Sequence, residues 1–192
     1  MDRGQMLRRL VHLATPLFLV YYALPDPLWE GAPDNQTLLI FLLLAILIFE
    51  ALRLRFKWKI IGIRDYEYER ISAAAWAAIG LTVAFLFFPF ELVAPVLIGM
   101  AFVDPLIGEL RRMKSNLYPV LPITVYLALV FATLAILTGW TTTALIASVV
   151  ATVLAISFEK WRTKYVDDDF LMIVVPLLGI AAVYWVTSSL VF

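Results

Sequence analysis

Long apolar runs broken by short polar ones define this chain, and the runs have nearly the length that a bilayer demands. They cover residues 7–24, 37–54, 71–88, 92–107, 118–137, 142–158 and 170–191. A hydrocarbon core is crossed by roughly 17 to 25 residues rising about 1.5 Å each, and lipid offers nothing to an unpaired backbone, so each run predicts a helix. The fourth run is the shortest and is expected to tilt or to continue through Glu109. The prediction is an all-α, polytopic integral membrane protein of about seven transmembrane helices, a single transmembrane domain over residues 1–192.

The polar breaks orient it. All fifteen Lys and Arg fall in four clusters: Arg3, Arg8 and Arg9; Arg53, Arg55, Lys57, Lys59, Arg64 and Arg70; Arg111, Arg112 and Lys114; and Lys160, Arg162 and Lys164. Pairs of apolar runs separate these clusters, so every base lies on one side of the membrane. Excess Lys and Arg in short loops marks the cytoplasmic side, which predicts a cytoplasmic N-terminus and an outside C-terminus. The opposite face has only short connections, near residues 25–36, 89–91 and 138–141. The first run begins with Arg8, Arg9 and His12 and lacks a small-residue cleavage site, so it is expected to remain as a helix.

Composition adds a limit. A chain that is 63% hydrophobic and 16% charged has more apolar surface than a soluble core of 192 residues can hide. Cysteine is absent, which excludes disulfides and thiolate metal sites. The Asn35-Gln36-Thr37 triplet matches a glycosylation sequon but abuts a helix and carries no weight.

Charge changes the picture more. The formal net charge is zero, yet only Asp26, Glu30, Asp34 and Glu91 fall on the outer face. Eleven acids remain beside fifteen bases, giving the inner face about +4, which draws anionic headgroups or a polyanionic substrate. Orientation needs the bases and not the acids. Glu50, Asp104, Glu109, Glu159, Asp167, Asp168 and Asp169 nevertheless sit at inner helix ends. Taken singly, pairs such as Glu159 with Lys160 or Glu109 with Arg112 read as solvated ion pairs worth about 0 to 1 kcal/mol. Taken together they suit phosphoryl chemistry, in which carboxylates hold Mg²⁺ and bases neutralise phosphoryl oxygens. No Walker-type or kinase-type glycine loop is present, so a nucleotide would be held by helix ends and side chains.

Three spacings sharpen the candidates. Arg8 and Arg9 precede His12 by four and three residues, one stripe at the start of the first run. Asp104, Gly108 and Arg111 place an acid, a gap and a base on one helical face. The three consecutive acids from Asp167 open the seventh run, where helix capping accounts for one of them.

In this order along the chain, the motifs resemble those of the CTP-dependent polyprenol and dolichol kinases, with the related diacylglycerol and phytol kinases. The resemblance covers most of the chain and is strongest from Arg64 to Arg112. The basic pair and His match Arg8, Arg9 and His12. Acids ahead of a small-residue turn with an aromatic match Glu67, Glu69, Ser72, Ala73, Ala74 and Trp76, and the following Phe-Pro pair matches Phe88 and Pro89. A glycine-aspartate and glycine-arginine motif is similar to Val103, Asp104, Gly108 and Glu109, and a Glu ahead of an acidic run and proline is similar to Glu159, Asp167, Asp168, Asp169 and Pro176. Val103, Glu109, Asp169 and Ala73 depart from the family's Gly, Arg, Asn and Gly, Pro176 lies later than in the pattern, and Arg111 or Arg112 is placed to substitute for the Arg.

The resemblance implies transfer of the γ-phosphoryl group of CTP to the hydroxyl of a polyprenol, dolichol or diacylglycerol-like lipid at the cytoplasmic interface. Asp104, Glu159 and Asp168 would then be Mg²⁺ ligands or the general base. Arg8, Arg9, Arg70, Arg111 and Arg112 would bind phosphate, and His12 would orient substrate. The partners are a membrane lipid and a nucleotide, not nucleic acid, and association with further copies of the chain is compatible with it. The membrane is the plasma membrane of a prokaryote or the endoplasmic reticulum of a eukaryote. A cytidylyltransferase making a CDP-lipid is the alternative, ahead of a transporter or an inactive membrane scaffold.

Overall fold

The computed structural model describes residues 3–159 and 166–189; the Lys160, Arg162 and Lys164 cluster and the end of the seventh run lie outside the described residues. The described chain is helical throughout, with α1 Arg3–Ala14, a 3₁₀ helix Thr15–Ala23, α2 Asn35–Phe56, a short 3₁₀ turn Asp65–Glu69, α3 Ala73–Phe87, α4 Phe90–Arg112, α5 Val120–Thr138, α6 Thr142–Glu159 and α7 Asp168–Ser189. Five of these, α2, α4, α5, α6 and α7, are long and apolar enough to cross a membrane, and α3 is a shorter apolar helix. Among the described residues the protein is thus all-helical, with five helices of the length and composition of membrane spans.

Local chemistry sets the ends. Asp34 caps α2, its carboxylate accepting the Thr37 N–H at 2.8 Å, while Arg53 and Arg55 in the last turn oppose the negative end of the helix dipole. Ser72 caps α3 by accepting the Ala75 N–H at 3.3 Å. Asn35, the would-be glycosylation site, is buried, and its side-chain amide donates to the Pro25 carbonyl at 2.9 Å.

The first run is not one α-helix, as expected from its apolar pattern, but α1 followed by the 3₁₀ helix. Pro16 explains the change, because it supplies no N–H and its ring excludes the carbonyl four residues earlier. The fourth run extends past its apolar window to Arg112, carrying Asp104 and Glu109 on a continuous helix that contains Pro95 and Pro105.

The core lies among α3 to α7, with α6 against α7 as the most extensive interface, followed by α4 on α5, α3 on α7 and α5 on α6. Small residues let these backbones approach. Ala144, Ala147, Ser148, Ala151, Thr152 and Ala155 form a buried stripe on α6. A Cβ on Gly179 would stand 2.5 Å from Leu154 Cδ1, and one on Gly99 would stand 2.9 Å from the Tyr126 ring. The 3₁₀ segment joins this core at the far end through Tyr22, whose hydroxyl donates to the Phe88 carbonyl at 2.7 Å. Tyr21 stacks on Phe85 beside it.

Candidate functional site

Four separate stretches of chain bring charged side chains to one end of the bundle. The last turn of α1 supplies His12, the C-terminal part of α4 supplies Asp104, and the first turn of α7 supplies Asp169. His12 Nε2 lies 3.5 Å from Asp104 Oδ2 and 3.9 Å from Asp169 Oδ1. The fourth stretch, the α2–α3 loop, contributes Arg64, which is within electrostatic reach of Asp104, Asp167, Asp168 and Asp169. Burial works against the Arg64 charge, but the Tyr66 hydroxyl, Asp168 and Glu67 outweigh it and raise its pKa.

One ligand atom each from His12, Asp104 and Asp169 lies within 4.8 Å of the others, as do those of Asp167, Asp168 and Asp169. Ligands of an octahedral Mg²⁺ sit about 2.1 Å from the ion, hence about 3 to 4 Å apart, so the first group fits a small divalent cation after a slight inward adjustment. Mg²⁺ prefers oxygen, and the two carboxylates suit it better than the imidazole does. His12 is then better placed beside the ion, as a hydrogen-bonding or proton-accepting group.

The acidic run divides its labour. Asp167 caps α7, its carboxylate accepting the Asp169 N–H at 3.3 Å. Burial, aided by a hydrogen bond to Asp168 and that residue's charge, pushes the Asp167 carboxyl up to about 7. Asp169, one residue into the helix from Asp168, points to His12, and its side chain is only 8% exposed.

A second charged group adjoins the first. Arg111 grips Glu159 with two hydrogen bonds of 2.7 and 2.5 Å, donates to the Tyr118 hydroxyl at 2.7 Å, and lies over that ring. Glu159 is in turn within electrostatic reach of Asp104 and Asp168. Glu109 joins Arg9 of α1 to Arg112, the latter at 2.5 Å. Between Asp104 and Arg111 the space beside Gly108 is open, with nothing within 4 Å of where a Cβ would be. Gly108 is thus not a close helix contact but a gap along the charged face.

An apolar cavity of about 480 Å³ reaches this cluster from the side. Its walls come from α1, the 3₁₀ segment, α2, the α2–α3 loop and α3, with Met100 of α4 and Ile173 of α7, and His12, Asp169, Arg8, Arg64 and Glu67 are among its lining groups. The loop is pinned over it by a buried pair. Arg53 donates to Glu50 through two bonds of 2.8 and 2.7 Å and to the carbonyls of Glu67 and Arg70, and Glu50 accepts the Ser72 N–H at 2.6 Å.

Several expectations are redistributed by this geometry. Asp104 and His12 meet as neighbours, but the third member of their group is Asp169 rather than Asp168 or Glu159. Among the described residues Glu159 is bound to Arg111 and belongs to no metal-sized group. Arg8 and Arg9 flank His12 on one face of α1: Arg8 lines the cavity beside His12, while Arg9 reaches Glu109 of α4, the helix whose Asp104 meets His12. Arg70 stands over the Tyr66 ring at 4.1 Å, and Arg112 is the outermost of the α4 bases. Sequence reasoning passed over Arg64 and assigned no role to Asp169. The signal for Arg64 was its place at the head of the segment of strongest resemblance. Against protein-family models, curated proteins and solved structures, the chain finds no match.

Proposed function

We propose that the protein is a lipid kinase that transfers the γ-phosphoryl group of CTP to the hydroxyl of a polyprenol, dolichol or diacylglycerol-like lipid. In this reading the chain crosses the membrane seven times, N-terminus in the cytoplasm and C-terminus outside. The α1 and 3₁₀ segments together span about 36 Å and make the first crossing; α3, about 22 Å, makes the third with its flanking residues. The charged end then faces the cytoplasm.

One observation carries the reading: an acid, base and imidazole cluster sits where an apolar cavity meets the charged end of the bundle. A lipid hydroxyl can reach that point without its tail leaving the membrane, and a water-soluble donor can reach it from the other side. Asp104 and Asp169 would hold Mg²⁺, which when bound supplies charge neutralisation on the phosphoryl oxygens. Arg64 and Arg8, both lining the cavity, would offset the phosphate charge that the carboxylates otherwise repel. His12 accepts the proton as the lipid oxygen bonds to the γ-phosphorus and the bond to CDP breaks. The products are the lipid monophosphate and CDP.

The test uses purified protein in detergent with Mg²⁺, a panel of lipid alcohols, and CTP labelled at the γ or the α position. Label from the γ position in the lipid is expected. Label from the α position, or cytosine in the product, makes the enzyme a cytidylyltransferase. Asp104→Asn and Asp169→Asn are expected to lower turnover by roughly 100-fold or more, the scale of a lost electrostatic contact, with the fold retained. Parent-like turnover in both variants removes the cluster from the chemistry.

A further inference from the structure

The cavity restricts the lipid, and on the kinase reading it selects among the alcohols left open there. We infer that it holds one hydrocarbon chain, so the substrate is a single-chain alcohol of isoprenoid or fatty type and not a two-chain glyceride.

Volume is the first argument. An engineered protein cavity of about 150 Å³ takes a benzene, so a space of about 480 Å³ takes roughly 15 to 20 carbon atoms. That is one chain. A glyceride with two long acyl chains would have to leave one of them outside while its backbone followed the other in.

Shape agrees with volume. On α3, Ala74, Ala77, Ala78 and Leu81 recur at helical spacing along the wall, and the two turns they cover give a slot about 10 Å long. Alanine on successive turns is what leaves the slot open, since any longer side chain there would fill it. Across the slot, Ile46 and Phe49 of α2 form the facing wall. Val11 and Phe18 also line it and remain exposed on the molecular surface, which gives a chain a sideways entrance from lipid.

Polarity is the third argument. A glyceride brings ester carbonyls that need hydrogen-bond donors when they leave water, and an unpaired one is costly. Thr15, Glu50 and Arg53 on the cavity walls are already hydrogen-bonded within the protein, and the Ser72 hydroxyl is engaged as the α3 cap. Polar capacity remains only at the charged end, where His12, Asp169, Arg64, Arg8 and Glu67 line the cavity. One hydroxyl can be served there, followed by hydrocarbon.

The inference is tested by binding, without nucleotide. A photoreactive single-chain alcohol of about 16 carbons is cross-linked to the full-length protein in detergent, and competitors are added. A single-chain isoprenoid alcohol of about 20 carbons is expected to displace it at least tenfold better than dioleoylglycerol, with the cross-link mapping to α2 or α3. Ala78→Phe is expected to weaken the single-chain alcohol by about tenfold or more by filling the slot. Ala77→Leu, a smaller insertion, gives the same readout where Ala78→Phe does not fold. Equal displacement by dioleoylglycerol, or parent-like binding in the folded cavity variants, overturns the inference. The two readings fail separately. Binding of the single-chain alcohol with no γ-label transferred to it overturns the kinase reading and leaves the cavity assignment standing. Transfer to diacylglycerol as fast as to the single-chain alcohol does the reverse.

Discussion

The packed side of the bundle and its open side are built from comparably apolar helices, yet they bury them very differently. Over its most apolar window α2 is 11% buried and α4 is 56% buried, although α2 is the more apolar of the two. In lipid, apolar surface gains little by leaving its surroundings for another apolar surface, so hydrophobicity alone does not draw helices together. Close approach does. The α6 stripe from Ala144 to Ala155, Gly99 and Gly179 supply it on the packed side. On the open side alanines occupy the corresponding face of α3, but no neighbouring helix closes on them, and the cavity is the result. The same small residues thus make an interface in one region and a ligand-sized space in the other.

The largest expected effect tests whether the open side is held by the buried Arg53–Glu50 anchor. Arg53→Met leaves the buried Glu50 carboxylate without its partner, which costs about 3 to 5 kcal/mol where such pairs are broken singly. The loss is expected to be local. Amide hydrogen exchange should rise across residues 57–72, while α4 to α7 keep the parent's protection. A uniform rise over all helices would mean that the two sides are one cooperative unit and that the contrast drawn above is only geometric.

The next effect lies on the packed side. Gly179→Leu forces atoms into the position already occupied by Leu154 and Val150, and overpacking of this kind costs about 1 to 3 kcal/mol. Leu42→Ala on the exposed face of α2 should shift the detergent-unfolding midpoint little, because Leu42 is 58% exposed. If the two changes shift the midpoint equally, helix approach at Gly179 does not carry the stability assigned to it.

How far the sequence disclosed this arrangement follows from what each feature depends on. The helical segments were legible because bilayer thickness and backbone hydrogen bonding act on local runs of residues. The break in the first segment was legible in principle, since Pro16 stands inside the run, but apolarity alone cannot separate an α-helix from a 3₁₀ helix. The gathering of His12 and Asp104 at one end was legible from the alternation of helix direction. Their third partner was not. Whether Asp168 or Asp169, both buried, meets His12 depends on the rotation of α7, which is set by contacts such as Phe170 against Trp76 and Gly80 and not by the acidic run itself. Glu159 illustrates the same limit. Its spacing suggested a ligand for metal, whereas the approach of α4 gives it Arg111.

The smallest expected effect concerns Glu67, in the loop that covers the open side. Burial raises its carboxyl above the ordinary range, and the Arg64 guanidinium, 3.7 Å away, opposes that rise. A carboxyl raised on folding is held more readily in its neutral form by the folded state than by the unfolded chain. Its contribution to stability is therefore complete below the ordinary carboxylate value and is lost as pH rises through the raised one. Glu67→Gln removes the titration while keeping the side chain's size. Relative to the parent, the variant should gain stability as pH rises above the ordinary carboxylate range, by a modest amount because Arg64 offsets part of the burial cost. Thermal unfolding of both proteins in the same detergent across that rise in pH measures the difference. A gap that stays constant or narrows toward higher pH would place Glu67 in a solvated or fully paired setting, and the cover over the cavity would then be looser than its hydrogen bonds to Arg53 indicate.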